Sequence, residues 1–364
     1  MAFTEKEARR LVAEAGRRLL ERGLVDRTWG NVSARVSDDA FVITPSGMAY
    51  DAVTEEQLVL VAGDGSWQGG HKPSSERGIH ADAYRLRREV NFVIHTHQDM
   101  ASVCSVAGRD LVCDHPLLGG RVPCADYGLP STDRLRRAVA RELAAWPGSP
   151  AVLLRSHGAL CLGRDMEEAF AAAAALEAVC RQLVGSALGS ARLPLSVPEL
   201  GDSCRVGNAF RLTLGGRQRV CHLHDPDLTG PAALHAAVYR AFGARAVCHG
   251  RGPHTAAISC QGRTLRPLLD DLAQAAGPSI RCAAPRPSRI VPGLWGRSAL
   301  LLEGAGALCT GSSPEEAAVT ARLLEKGCLA RRFADRVPGC RPLEREDALL
   351  QRLVYVTQYA KRKQ

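Results

Sequence analysis

Apolar positions along the chain follow two periods, and the change from one to the other marks out the elements. Thr4 and, three residues later, Glu7 form a capping-box pattern. Ala8, Leu11, Val12, Ala15, Leu19 and Leu20 then recur at helical spacing until Gly23, which predicts an amphipathic first helix. Residues 32–36 and 40–43 read as short strands joined by a Ser-Asp-Asp turn, 58–61 as a strand ending at Asp64-Gly65, and 92–95 as an apolar strand. Residues 152–154 and 160–162 are strand-like, 76–87 has a helical pattern, and 166–184 predicts a long alanine-rich helix. Strands with helices before and between them argue for a sheet covered by helices.

A chain of 364 residues is long for one average domain and comfortable for two. The segment 189–202, GSARLPLSVPELGD, has two prolines and weak periodicity, as a linker does. The expected division is a domain at 1–190, a linker at 191–202, a second domain at 203–345 and a C-terminal helix or tail at 346–364.

Self-similarity changes this picture. Residues 92–111 (FVIHTHQDMASVCSVAGRDL) align ungapped with 246–265 (AVCHGRGPHTAAISCQGRTL) with six identities, and 151–169 (AVLLRSHGALCLGRDMEEA) align with 299–317 (ALLLEGAGALCTGSSPEEA) with eleven. The blocks keep their order in both halves. Two units make a duplication rather than a solenoid.

Composition narrows the class. With 46% hydrophobic and 23% charged residues and no apolar run judged long enough to cross a bilayer, a soluble globular protein is expected and a membrane span is not. The opening MAFTEKEARR lacks the basic patch and apolar stretch of a secretory signal, which favours the cytoplasm. Thirteen cysteines, scattered singly and never as Cys-x-x-Cys, read as buried reduced thiols. The net charge of +9 comes from dispersed arginines without interleaved aromatics. That balance suits anionic substrates; no nucleic-acid partner is expected, and Lys361-Arg362-Lys363 reads as a solvated tail.

Candidate chemistry concentrates in the first half. In His95-Thr96-His97 alternation turns both imidazoles to one side of a strand end, where they either share an ion or are two partly exposed polar groups. His157, in Arg155-Ser156-His157-Gly158, ends another apolar strand, with a glycine that permits close backbone approach. Glu76, after Lys72-Pro73-Ser74-Ser75, opens a helix and is either a catalytic carboxylate or a first-turn residue that favours the helix dipole. Three neutral imidazoles and a carboxylate suit zinc with a displaceable fourth position. Gly30-Asn31-Val32-Ser33 and Thr44-Pro45-Ser46-Gly47 are plain turns taken singly; together with Ser74 and Ser75 they could form a phosphate cradle.

The motifs GNVS, ITPSG, KPSSE, HTH and RSHG, in this order over residues 1–190, resemble the class II aldolase/adducin family. The resemblance implies an α/β fold, a central, mainly antiparallel sheet covered by helices, here duplicated. It implies zinc on His95, His97 and His157, with Glu76 as removable ligand and acid/base, and substrate phosphate at Gly30, Asn31, Ser46, Gly47, Ser74 and Ser75. The reaction it implies is cleavage of a small phosphorylated ketose through a metal-stabilised enediolate to dihydroxyacetone phosphate and an aldehyde. Epimerisation, dehydration or decarboxylation on the same metal, and an adducin-like binding role without it, are the alternatives. The family's epimerases carry aspartate at the position of Glu76, which favours the aldolase branch. No tyrosine donor occurs between Leu111 and Cys124, and Tyr355 and Tyr359 are candidates for a C-terminal tyrosine over a neighbouring site. In the second copy His249 matches His95, while Arg251, Ala305 and Pro231 replace His97, His157 and Glu76, so no catalytic metal is expected there; His254 has no counterpart in the motif and reads as structural. Four-fold rings in the family suggest two fused chains building a pseudo-tetramer.

Overall fold

The computed structural model describes residues 2–25, 28–190, 193 and 196–359; the basic tail 361–363 and linker residues 191, 192, 194 and 195 lie outside that description. The chain forms two compact units, Met1–Ala187 and Leu188–Gln364.

The first unit starts with α1 (Glu5–Glu21), capped by Thr4, whose hydroxyl accepts from Glu7 N–H at 3.3 Å. Strands β1 (Asn31–Ser37), β2 (Ala40–Ile43), β3 (Val59–Ala62) and β4 (Trp67–Gln68) follow, then α2 (Arg77–Leu86), β5 (Phe92–Thr96) and α3 (Asp99–Ser105). A small ribbon of β6 (Leu111–Val112) and β7 (Arg121–Val122) precedes β8 (Cys124–Ala125), α4 (Asp133–Ala145), β9 (Ala151–Leu154), β10 (Gly158–Gly163) and α5 (Met166–Leu188). The sheet runs β4-β3-β2-β1-β5-β10-β9-β8, antiparallel throughout except for the β8–β9 pair. α1 packs on β1 and β2. A core of Ile79, Ala83, Leu135, Val139 and Leu143 from α2 and α4 meets Phe41, Ile43, Val93, Val152, Leu154 and Leu160 from the sheet.

Two departures from the sequence reading have physical causes. The third strand begins at Val59 rather than at 58, because Leu58 closes a short 3-10 turn and its carbonyl accepts from Arg9 Nη1 at 2.6 Å. The expectation that no apolar run reaches bilayer length also needs correction. α5, at 23 residues, is long and apolar enough by length and composition. Its Glu177 carboxylate nevertheless accepts from the Met100 and Ala101 N–H groups at the start of α3, and Ala169, Phe170, Leu176 and Cys180 are buried, so this face of the helix packs into the core of the unit.

The second unit holds β11 (Asp202–Val206), β12 (Ala209–Leu214), β13 (Arg217–His222), α6 (Gly230–Ala241), β14 (Ala246–Gly250), α7 (Pro253–Ser259), α8 (Asp270–Ala276) and β15 (Cys282–Ala283). It continues with α9 (Pro287–Leu294), β16 (Ala299–Leu302), β17 (Ala307–Gly311), α10 (Pro314–Ala334) and α11 (Arg345–Val354). Its sheet order, β13-β12-β11-β14-β17-β16-β15 with only β15–β16 parallel, repeats that of the first unit without the outermost strand β4. Glu325 caps α7 through the His254 and Thr255 N–H groups as Glu177 caps α3. The duplication is thus present in the topology. Of the thirteen cysteines Cys260 alone is exposed.

Candidate metal centre

β5 carries His95 on the face of Val93 and delivers His97 just beyond its last residue, where His97 N–H donates to Leu24 O at 3.1 Å. His157 lies in the turn between β9 and β10. Ser156 there has φ of 61°, rare for a residue with a side chain, and is held because its N–H donates to Ser105 Oγ at 3.1 Å. Glycine is required on the other side of His157: a Cβ at Gly158 would stand 2.2 Å from Thr96 O. Gly30 is equally constrained, with φ of 79° and a Cβ position 2.5 Å from His95 O. Gly158→Ala is therefore expected to cost about 1–3 kcal/mol and to lower bound metal by forcing β10 away from β5. Thermal denaturation with metal analysis checks this, and an unchanged Tm would contradict it.

These constraints bring His95, His97 and His157 together, all buried, with their ligand atoms within 4.8 Å of one another. His95 Nε2 and His157 Nε2 are 3.0 Å apart. Glu76, buried at the entry to α2, puts Oε2 3.4 Å from His95 Nε2 and Oε1 3.4 Å from His157 Nε2. His95 Nδ1 donates to Ala159 O at 3.0 Å, which leaves the Nε2 lone pair turned inward. That lone pair faces a carboxylate oxygen, an acceptor facing an acceptor, and Glu76 Oε1 has no hydrogen-bond partner among the described residues. Burial and a borderline-soft donor set complete the description, and the residues fit a divalent ion.

The electrostatics agree. Burial alone would raise the Glu76 carboxyl, but His95, the close contact and charge of His157 and the Asn31 amide outweigh it and hold the acid below the ordinary carboxylate range. Burial, opposed by Glu76, lowers the His95 imidazole, so it is neutral and able to ligate.

Comparison with known proteins bears on the whole chain. The model of the Class II Aldolase and Adducin N-terminal domain matches residues 10–184 and again 211–331. The chain belongs to this family. It is 34% identical over 151 residues to the L-fuculose phosphate aldolase of Escherichia coli strain K12, covering 40% of this chain and 68% of that protein. It is 32% identical over 173 residues to a 5-methylthioribulose-1-phosphate/5-deoxyribulose-1-phosphate aldolase of Rhodospirillum rubrum, covering 46% and 76%. Among solved structures, L-fuculose-1-phosphate aldolase from Thermus thermophilus aligns with 26% identity and a TM-score of 0.44 over 49% of this chain and 93% of that one.

In this class II aldolase family member the remaining predicted site residues fall into two groups. The ITPSG and KPSSE segments run side by side, joined by a Pro45–Pro73 bridge, by Ser46 N–H to Lys72 O at 2.9 Å and by Ser74 N–H to Thr44 O at 3.0 Å. Ser46, Gly47, Ser74 and Ser75 thus share one region, and Ser75 Oγ is hydrogen-bonded to Ser131 Oγ at 2.6 Å. A cleft of about 380 Å³ lined by Ser75, Glu76, Ser131 and Arg136 opens beside them; none of the three histidines lines it. Asn31 is turned elsewhere: its Nδ2 donates to Glu76 Oε2 at 2.9 Å, and its Oδ1 meets His80 Nε2.

His80, Ser33 and Tyr84 receive no role from the sequence pattern alone. Ser33 Oγ lies 2.6 Å from His80 Nδ1 and 2.7 Å from Tyr84 Oη, and burial drives the His80 imidazole down to about 3. A signal for them existed. HADAY at 80–84 and HAAVY at 235–239 repeat the same His and Tyr spacing in both halves.

The second copy lacks the ligand set. His249 Nδ1 accepts from Leu200 N–H at 3.2 Å and its Nε2 donates to Ala305 O at 3.0 Å, so both ring nitrogens are spent on the backbone. Arg251 pairs with Glu199 at 3.1 Å, and Pro231 stands at the start of α6, where Glu76 stands before α2. His254 Nδ1 is bonded to Arg332 at 2.7 Å. Tyr355 Oη donates to Glu316 at 3.3 Å within this unit, and the side chain of Tyr359 lies outside the described residues.

Proposed function

We propose that the first unit is a zinc-dependent aldolase that cleaves a small phosphorylated ketose to dihydroxyacetone phosphate and an aldehyde. The observation that carries this reading is the buried meeting of three imidazoles with one carboxylate. A divalent ion held by His95, His97 and His157 would supply Lewis-acid charge to the carbonyl and hydroxyl oxygens of a bound ketose. Glu76, held at Oε2 by Asn31 and unbonded at Oε1, takes up and returns the proton at Oε1. Gly30 and Gly47 receive the phosphate on their N–H groups and Ser46, Ser74 and Ser75 on their hydroxyls, with Lys72 adding charge beside them. Asn31 serves the carboxylate instead, because both ends of its amide are already engaged.

The test is metal analysis of gently purified protein together with product analysis on a panel of ketose phosphates. Stoichiometric zinc and release of dihydroxyacetone phosphate are expected. Metal-free wild-type protein would overturn the metal, and turnover of an unphosphorylated acid with no response to any phosphorylated ketose would overturn the aldolase reading. Recovery of an epimer on the same panel would assign the unit to the sister chemistry.

A further inference from the structure

We propose that His80 is a positioning residue that orients the acid/base Glu76 through Asn31; the inference rests on the role given to Glu76 above. The chain of contacts is continuous and buried: Tyr84 Oη to Ser33 Oγ at 2.7 Å, Ser33 Oγ to His80 Nδ1 at 2.6 Å, His80 Nε2 to Asn31 Oδ1, and Asn31 Nδ2 to Glu76 Oε2 at 2.9 Å.

Its polarity is set from the carboxylate end. An ionised Glu76 only accepts, so Asn31 must present its NH2 there and its carbonyl oxygen to His80. His80 must then donate from Nε2, which makes Nδ1 the acceptor for the Ser33 hydroxyl, and Ser33 in turn accepts from Tyr84. Tyr84 gives a proton at one end and Glu76 only accepts at the other, and Ser33, His80 and Asn31 between them each accept once and donate once, so only one arrangement satisfies all five. Inverting the His80 tautomer would turn the Asn31 carbonyl oxygen toward the carboxylate, two acceptors in contact in a dry site, a costly arrangement.

The second unit supplies an internal comparison. Ser203 Oγ contacts His235 Nδ1 and Tyr239 Oη, each at 2.7 Å, as in the first unit. Gly201 replaces Asn31, two residues before the serine, Pro231 replaces Glu76, and His235 Nε2 has no hydrogen-bond partner among the described residues. The Ser–His–Tyr link therefore belongs to the fold of both copies. The extension from Nε2 to the carboxylate belongs to the first alone.

The test uses the full-length, metal-loaded chain. Long-range ¹H–¹⁵N spectra of histidine-labelled protein, with His80 identified by the signal lost in His80→Gln, should show a neutral ring protonated at Nε2. An Nδ1–H tautomer or an imidazolium overturns the proposal whether or not the enzyme reading holds; a wild type inactive on every ketose phosphate counts against that reading alone. On the responsive substrate, His80→Leu should lower kcat about 100-fold, with KM and zinc content nearly unchanged. His80→Gln, whose amide can donate from the place of Nε2, should recover at least about tenfold of that loss, and His80→Asn, too short to reach, should not. His235→Leu breaks the equivalent link in the second unit and should lower Tm without lowering kcat. Equal kcat in the glutamine and asparagine variants, or a fall in His80→Leu no larger than in His235→Leu, overturns the proposal. Should His80→Leu fail to fold, the two amide variants and the wild-type tautomer still decide it.

Discussion

Glu76→Gln is expected to lower kcat on the responsive ketose phosphate by roughly 10²- to 10⁴-fold, the range of a lost general acid/base. KM and zinc content should stay close to wild type. The shape of the side chain is retained, and the amide oxygen can still accept from Asn31 Nδ2 at the place now taken by Oε2. What disappears is the ability to take up a proton at Oε1, the atom without a hydrogen-bond partner among the described residues. Steady-state kinetics with metal analysis on the same preparation checks the claim. A variant that keeps more than about a tenth of wild-type kcat would remove Glu76 from the proton transfer.

His97→Ala should weaken zinc binding by more than the roughly 10- to 100-fold that loss of a ligand's outer hydrogen-bond partner costs, and activity should fall with the metal. Two imidazoles and a displaceable carboxylate are too few donors to hold the ion against a chelator. His249→Ala in the second unit should leave zinc content unchanged, because that ring is saturated by Leu200 N–H and Ala305 O. Competition with a chromogenic chelator reads both variants. Wild-type affinity in His97→Ala would take that residue out of the ligand set.

Periodicity made much of this fold legible. The first helix, the strand carrying His95 and the β9–β10 hairpin announce themselves through local patterns, and the second copy through repeated blocks, because both follow from spacing along the chain alone. Asn31 shows where that stops. As part of GNVS it reads as a turn residue, and the direction of its amide depends on Glu76 and His80, which lie 45 and 49 positions further on. The pairing of Ser46 with Lys72 across the Pro45–Pro73 bridge is likewise a long-range fact without a local signature. His80 was hidden for another reason. A histidine on the apolar face of a helix looks like any satisfied core residue, and only its recurrence as His235 in the other half distinguishes it. The apolar length of α5 is under-read from the sequence: its alanine-rich stretch does reach bilayer length, while its Glu177 is bound to the start of α3, a long-range contact that the local pattern does not show.

The hairpin glycine recurs as well: a Cβ at Gly306 would stand 2.4 Å from Gly250 O, as one at Gly158 would stand 2.2 Å from Thr96 O. A copy without the ligand set closes this corner just as tightly, so main-chain packing, not an ion, draws the two strands together. In the first copy the three histidines are accordingly preorganised, and little of the affinity of an ion bound there would be consumed in ordering the loops that carry them.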